Sequence, residues 1–195
     1  METGKIIKYN GPWCAPIILA KKKDGGFRKC MAYNGLNDHT ERESWPLPNI
    51  EELLEHLAGH RWYSACDGFM GYYSVKIREE DIAKTTFKTP FGTYAYTIMP
   101  FGLKNAPHTY SRVTAKTFEE LIGKTVEAYI NDMATYSDSF DEHLTHLRGT
   151  LKAAKKTGIK LKASKCHFFY PEIEFVGHLV GLKGIQMMPE KVKCM

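Results

Sequence analysis

Apolar residues run from Ile6-Ile7 to Ala20, broken only at Gly11-Pro12 and Pro16. They lead into Lys21-Lys22-Lys23-Asp24-Gly25-Gly26-Phe27-Arg28. That order predicts a strand, a glycine turn and a returning strand. Farther on, Pro46 and Pro48 precede Asn49, and Ile50, Leu53, Leu54 and Leu57 fall on one stripe before Gly59. This spacing predicts a helix from Ile50 to about Ala58 with Asn49 as its N-cap. Strand composition marks Trp62 to Asp67 and Tyr73 to Ile77. It returns at Thr85 to Lys88 and Tyr94 to Ile98, on either side of the turn Pro90-Phe91-Gly92. Helical patterning follows from Asn105 to Ile122 and from Phe140 to Lys156. In the second of these, Leu144, Leu147 and Leu151 share a face and Gly158 lies just past the end. Short strands with turns at Pro171 and Gly181 complete the pattern, which ends in Pro189-Glu190-Lys191-Val192. Without an internal repeat or a low-complexity tract, the elements predict an α+β fold: an antiparallel sheet with helices packed on one face.

Composition narrows the class further. The chain has 195 residues, 43% of them hydrophobic and 25% charged, enough for a packed core in one globular unit or two small ones. No run of roughly eighteen apolar residues is present, so no membrane span is expected. Met1-Glu2-Thr3-Gly4-Lys5 starts neither a signal peptide nor a transit peptide. Cys14, Cys30, Cys66, Cys166 and Cys194 are odd in number and include no Cys-X-X-Cys pair, which argues against a disulfide framework and against a zinc ribbon. Free thiols in a reducing compartment, cytoplasm or nucleus, are the expectation. His143-X-X-His146 and Cys166-His167 supply too few convergent ligands for a zinc site. A net charge of +5 permits nucleic-acid binding without requiring it.

The chemistry concentrates in three places. Tyr129-Ile130-Asn131-Asp132 sits between two apolar stretches and reads as a tight hairpin that presents polar oxygens. Asp67 closes a strand within Asp67-Gly68-Phe69-Met70-Gly71-Tyr72. By itself an aspartate there is most often a cap or turn residue. Together, a strand-end carboxylate followed by a carboxylate on a hairpin is the order in which a two-metal site is assembled. The third place is Met99-Pro100-Phe101-Gly102-Leu103-Lys104-Asn105-Ala106-Pro107, a proline-bracketed turn that opens a helix, whose glycine allows a close backbone approach.

These runs, with Pro12-Trp13-Cys14-Ala15-Pro16, Gly35-Leu36-Asn37, Pro46-Leu47-Pro48, Glu142-His143-Leu144, Lys165-Cys166 and Phe175-Val176-Gly177-His178, are collinear over nearly the whole chain. The chain resembles the fingers and palm of the reverse transcriptase of gypsy-class long-terminal-repeat retrotransposons. The resemblance implies a right-hand polymerase fold, with fingers at 1–60 and 78–100, palm at 61–77 and 101–190, and at 191–195 the start of a thumb that is otherwise missing. It implies RNA- or DNA-templated addition of deoxynucleotides on a primer, with deoxynucleotide triphosphates as substrates and Mg²⁺ as cofactor. Asp67, Asn131 and Asp132 then take the catalytic places, with Asp67 and Asp132 as metal ligands. Lys22 and Arg28 hold the triphosphate, while Gly68, Tyr72, Phe101 and Gly102 line the nucleotide pocket and Tyr72 excludes a 2′-hydroxyl. Lys152, Lys155 and Lys156 lie on adjacent turns of one helix, and with the later Lys160, Lys162 and Lys165 they are expected to meet the primer-template backbone.

The departures from the family pattern point to impaired catalysis. The family usually has aspartate at the place of Asn131. It has Val-Asp-Tyr-Arg for Met31-Ala32-Tyr33-Asn34, glutamine near Ser74, and Ala-Thr-Phe-Gln for His108-Thr109-Tyr110-Ser111. An asparagine keeps the shape of the hairpin and removes a charge that a hard divalent cation needs. The competing expectation is a retroelement-derived module that no longer catalyses and instead binds nucleic acid or a protein partner.

Overall fold

The computed structural model describes residues 4–21, 25–68 and 71–188, without the side chain of Arg28. Its strands in chain order are β1 (Ile6–Lys8), β2 (Ile17–Lys21), β3 (Phe27–Met31), β4 (Trp62–Asp67), β5 (Phe87–Thr89) and β6 (Gly92–Tyr96). After them come β7 (Val126–Tyr129), β8 (Asp132–Ser137), β9 (His167–Tyr170), β10 (Glu172–Phe175), β11 (His178–Gly181) and β12 (Gly184–Met187). The α-helices are α1 (Asn34–Asp38), α2 (Ile50–Leu57), α3 (Glu79–Ile82), α4 (Ala106–Thr117) and α5 (Phe140–Thr157). Every pairing between these strands is antiparallel, which with the separate helices gives the expected α+β class. The chain divides into two compact units, Met1–Ser44 with Tyr72–Tyr110, and Trp45–Gly71 with Ser111–Met195.

In the first unit β2 and β3 pair as the two expected antiparallel strands, from Ile17 opposite Met31 to Lys21 opposite Phe27, while residues 22–24 of the expected turn lie outside the described residues. Strands β1, β6 and β5 make a second, three-stranded sheet. Ala15, Met31, Tyr33, Phe87, Tyr96 and Ile98 fill the core between these pieces. The buried Tyr33 hydroxyl donates to the Thr85 carbonyl at 2.9 Å, so its polar end is satisfied. The strand expected over Tyr73 to Ile77 does not form. Gly71–Ser74 is a 3₁₀ turn, the Val75 N–H bonds back to the Tyr72 carbonyl, and a single bridge joins Lys76 to Ile98. Beyond that local bond the segment meets only a short stretch of neighbouring chain, with Ile77 N–H donating to the Thr97 carbonyl at 2.9 Å and Met99 N–H to the Val75 carbonyl at 2.8 Å, too few bonds to make a ladder.

The second unit is built on a four-stranded sheet of order β7-β8-β4-β9. Because side chains alternate across a strand, Tyr63, Ala65 and Asp67 share a face with Tyr136, Ala134 and Asp132 opposite them. The apolar part of this face is sealed by Leu53, Leu54 and Leu57 of α2 and by Ile173, Phe175 and Val180 of the sheet β10-β11-β12. Helix α2 starts as expected, with the Asn49 side chain accepting from the Glu51 N–H at 3.0 Å. The expected division at residue 60 groups this helix with the fingers; here its buried stripe belongs to the second unit. The other face, with Cys66, Val126, Ala128 and Met133, is covered by Phe118, just past α4, and by Ala154 of α5. Helix α5 thus packs on this face of the sheet, within the expected α+β architecture, while the first face carries α2 together with the sheet β10-β11-β12.

Helix α5 is bounded by a capping box between Ser139 and Glu142 and by Gly158 in the left-handed region, φ 77°. Its buried positions are His143, Leu147, Thr150 and Ala154. Leu151, expected on the buried stripe, is 38% exposed. Two polar residues displace the leucine stripe because the sheet offers them partners. The Thr150 hydroxyl meets Thr135 at 2.9 Å, and the His143 ring sits between the hydroxyls of Ser64 (2.7 Å) and Ser137 (3.0 Å).

Candidate active site

Asp67 is the last residue of β4 and Asp132 the first of β8, and they are cross-strand partners. Tyr129 opposite Asp132 closes the preceding hairpin, so Ile130 and Asn131 form its two-residue turn. Ile130 sits at φ 53°, a region that a β-branched residue rarely occupies. Two backbone bonds hold the strand ends in place: Gly68 N–H donates to the Asn131 carbonyl at 2.8 Å, and Lys162 N–H donates to the Asp67 carbonyl at 2.8 Å. The sequence-predicted trio of Asp67, Asn131 and Asp132 is thus brought together at one end of the sheet, with Gly68 in direct contact.

The electrostatics of the pair are those of two close anions. Asp132 keeps an open edge to solvent. Its carboxyl is nevertheless held above the usual carboxylate range, first by partial desolvation against the sheet and then by the negative charge of Asp67. Lys165 opposes that rise and Glu174 adds to it. The Lys165 ammonium lies 2.8 Å from Asp67 Oδ2. In the sequence Lys165 stands only among the general basic positions, and its place in the matching pair Lys165-Cys166 is the signal that marks it as a site residue. The carboxylates open onto a cleft of about 480 Å³ whose lining includes Lys165, His167, Glu172 and Glu174.

A pair of Mg²⁺ ions, as the resemblance implies, does not fit these residues. The site offers two carboxylates, one already paired with an ammonium, and Asn131 supplies neutral oxygen at the third place. The buried Oδ1 of Asn131 has no hydrogen-bond partner. Among the described residues no three Asp, Glu, His or Cys side chains converge as a metal set.

The remaining expected site residues are placed separately. In the first unit the half-buried Tyr72 packs its ring 5.0 Å from that of Phe101 and edge-on at 5.7 Å to that of Tyr110. Gly102 has φ 109°, and a Cβ there would collide with the Met31 carbonyl oxygen. The close approach that this glycine permits is therefore to the backbone of β3, where Met31 N–H donates to the Phe101 carbonyl at 3.1 Å. Lys22 lies outside the described residues, as does the side chain of Arg28, whose backbone pairs with Ala20. Lys152, Lys155 and Lys156 ride on α5, over the face of the sheet opposite to the one bearing Asp67 and Asp132, so the second unit does not bring them to the carboxylate pair. His143 is buried and hydrogen-bonded to two serines, which removes the His143-X-X-His146 pair from consideration as a metal site. No described helix is long and apolar enough to cross a membrane.

Residues 20–180 match the family described as reverse transcriptase (RNA-dependent DNA polymerase). The chain is 32% identical over 198 residues to the retrovirus-related Pol polyprotein from transposon opus of Drosophila melanogaster, covering 99% of this chain and 20% of that protein. It is 33% identical over 198 residues to the corresponding polyprotein from transposon 297 of the same organism, covering 99% and 19%. With the transposon Tf2-3 polyprotein of Schizosaccharomyces pombe the identity is 28% over 192 residues, covering 98% and 14%. The chain thus spans about a fifth or less of the length of these relatives. Among solved structures, the foamy viral protease-reverse transcriptase in complex with double-stranded DNA superposes with a TM-score of 0.92 at 20% identity, covering all of this chain and 34% of that one. The foamy viral enzyme in complex with an RNA/DNA hybrid gives 0.88 at 20% identity, covering 96% and 25%.

Proposed function

We propose, since the chain belongs to the reverse transcriptase family, that it is the fingers and palm of a gypsy-class retrotransposon reverse transcriptase whose templated deoxynucleotide addition is impaired. The observation that carries this reading is the register of Asp67 against Asp132 across a hairpin whose turn holds Asn131. In the parent reaction a primer 3′-hydroxyl attacks an incoming deoxynucleotide triphosphate on an RNA or DNA template. Tyr72, braced by Phe101 and Tyr110, is suited to pack under the sugar and leave no room for a 2′-hydroxyl. Lys22 and Arg28 are the groups assigned to the triphosphate, a point charge and a planar fork. With one carboxylate lost and another paired to Lys165, the negative field that assembles the reactants is depleted. The free thiols of Cys14, Cys30, Cys66 and Cys166 suit work in the cytoplasm or nucleus.

The test is primer extension by the chain beside its Asn131→Asp version. Activity of the unaltered chain is expected to be absent or at least roughly 10²-fold lower, the scale of one lost preorganised electrostatic group. Equal extension by both would overturn the judgement of impairment. The second reading, a non-catalytic module that binds nucleic acid or a protein through the old palm, is favoured by the same Lys165 pairing. It predicts duplex binding without extension in either version.

A further inference from the structure

The Asp67–Lys165 ion pair is built differently from an ordinary surface contact. Lys165 ends a 3₁₀ turn, Ala163–Lys165, in which its own N–H bonds to the Lys162 carbonyl at 2.8 Å. The N–H of that same Lys162 bonds to the Asp67 carbonyl, also at 2.8 Å. Asp67 is therefore gripped twice by one short segment, once at its backbone and once at its carboxylate. The Cys166 thiol donates to the Lys162 carbonyl at 3.3 Å and packs against the cluster that contains Cys66, which fixes the far side of the turn. Exposed ion pairs as a class contribute little, and the Lys165 side chain is 58% exposed. What distinguishes this one is its surroundings. The cleft it faces is lined by Asp67, Asp132, Glu172 and Glu174, and Lys165 is the one lysine or arginine among the described lining residues. Two of those carboxylates are direct cross-strand partners, an arrangement that is destabilising unless a cation stands between or beside them.

We infer that Lys165 is the resident counter-cation of this carboxylate pair, so that the folded chain is closed to divalent ions at ordinary concentrations and opens only when the ammonium is displaced. A covalently tethered ammonium has a high local concentration and needs no dehydration of a coordination sphere. Mg²⁺ gives up water reluctantly and demands several well-placed oxygens. With asparagine in the turn, the anionic charge that could tip this competition toward the divalent ion is missing. The inference goes beyond the proposed function, because ion entry can be read without any polymerisation.

The experiment is Mn²⁺ binding to the full chain, followed by the electron paramagnetic resonance of free Mn²⁺ at constant ionic strength. The variants are Lys165→Gln, Lys165→Arg and the double variant Lys165→Gln with Asp67→Asn, each checked for folding by circular dichroism. The unaltered chain and Lys165→Arg should show no saturable site in the submillimolar range. Lys165→Gln should bind at least about tenfold more tightly, as expected for removal of a positive charge a few ångströms from the ion. The double variant should lose that gain. Tight Mn²⁺ binding by the unaltered chain would overturn the inference whatever the variants do. So would equal binding by the unaltered chain and Lys165→Gln, or a gained site that survives Asp67→Asn.

Discussion

Acid should destabilise this fold through one buried ring. His143 has no exposed surface; its Nε2 lies 2.7 Å from the Ser64 hydroxyl, its Nδ1 lies 3.0 Å from that of Ser137, and Phe169 packs edge-on at 5.1 Å. Burial, and secondarily the neighbouring charge of His146, push its pKa down from 6.5 to about 4. The fold therefore prefers the neutral ring. A group whose folded pKa lies below its unfolded value holds its full contribution above the unfolded value, here about pH 6.5, and loses it as the pH falls toward 4. The whole effect is about 3 kcal/mol, from roughly 1.4 kcal/mol per pKa unit, and most of the loss between pH 7 and pH 5, about 2 kcal/mol, arrives before the ring protonates in the native state. Urea unfolding followed by circular dichroism at pH 7, 6 and 5 measures it. The comparison is His143→Gln, which keeps polar atoms near both serines but cannot titrate. The unaltered chain should lose about 2 kcal/mol more than the variant over that range, since all other titrating groups are common to both. Parallel loss in the two proteins would refute the reasoning and place the buried histidine's neutral preference elsewhere.

Other outcomes follow from the same geometry. Gly102→Ala should lower the stability of the fold by at least about 2 kcal/mol in urea unfolding, because both the positive φ and the contact with the Met31 carbonyl exclude a Cβ. Duplex binding should be weak and independent of sequence, with the slope of log affinity against log salt changing by about −0.9 for each phosphate neutralised. Because α5 covers the far face of its sheet, replacing Lys152, Lys155 and Lys156 together by alanine should leave that slope nearly unchanged in a filter-binding or anisotropy titration; a drop approaching three phosphates would restore them to the interface. In the Asn131→Asp background, Tyr72→Val should raise incorporation of ribonucleotides relative to deoxyribonucleotides by roughly tenfold or more in single-nucleotide extension, as room is made where the ring now rests on Phe101 and Tyr110.

Local chemistry made the hairpin and the strand before it legible. Trp62–Asp67 forms the strand that its composition predicts, and two residues between Tyr129 and Asp132 leave no turn but a tight one. What stayed hidden was set by partners distant in sequence. His143 and Thr150 fall off the leucine face that the pattern marks, and nothing near them in the chain announces Ser64, Ser137 or Thr135 across the helix–sheet interface. Lys165 reads as one of several lysines in a basic run, and it is the pairing of its segment with β4, through the Lys162 bond to Asp67 and the Ala65–His167 register, that brings it to the carboxylate 98 residues away. Gly102 could be read as permitting a close approach, but what it approaches is the end of β3 and no sequence pattern names that.

The turn itself bears on how the Asn131→Asp comparison should be read. Ile130 at φ 53° is a costly conformation for a β-branched residue, of order 1–3 kcal/mol, and persists only where the surroundings over-determine it. Here the determinants are backbone: the ladder of β7 with β8, the ladder of β8 with β4, and the Gly68 N–H on the Asn131 carbonyl. No hydrogen bond of the Asn131 Oδ1 takes part, since that atom is buried without a partner. Replacing the amide by a carboxylate therefore leaves every bond that shapes the turn in place and changes only charge. The added anion lies beside Asp132, whose carboxyl is already raised by burial and then by the charge of Asp67, so without a cation the substitution should lower the melting temperature by a few degrees, as about 1 kcal/mol would. A gain in extension accompanied by that loss in apo stability would assign the defect of this chain to electrostatics at one position. A gain without the loss would mean that Lys165 alone neutralises the larger charge.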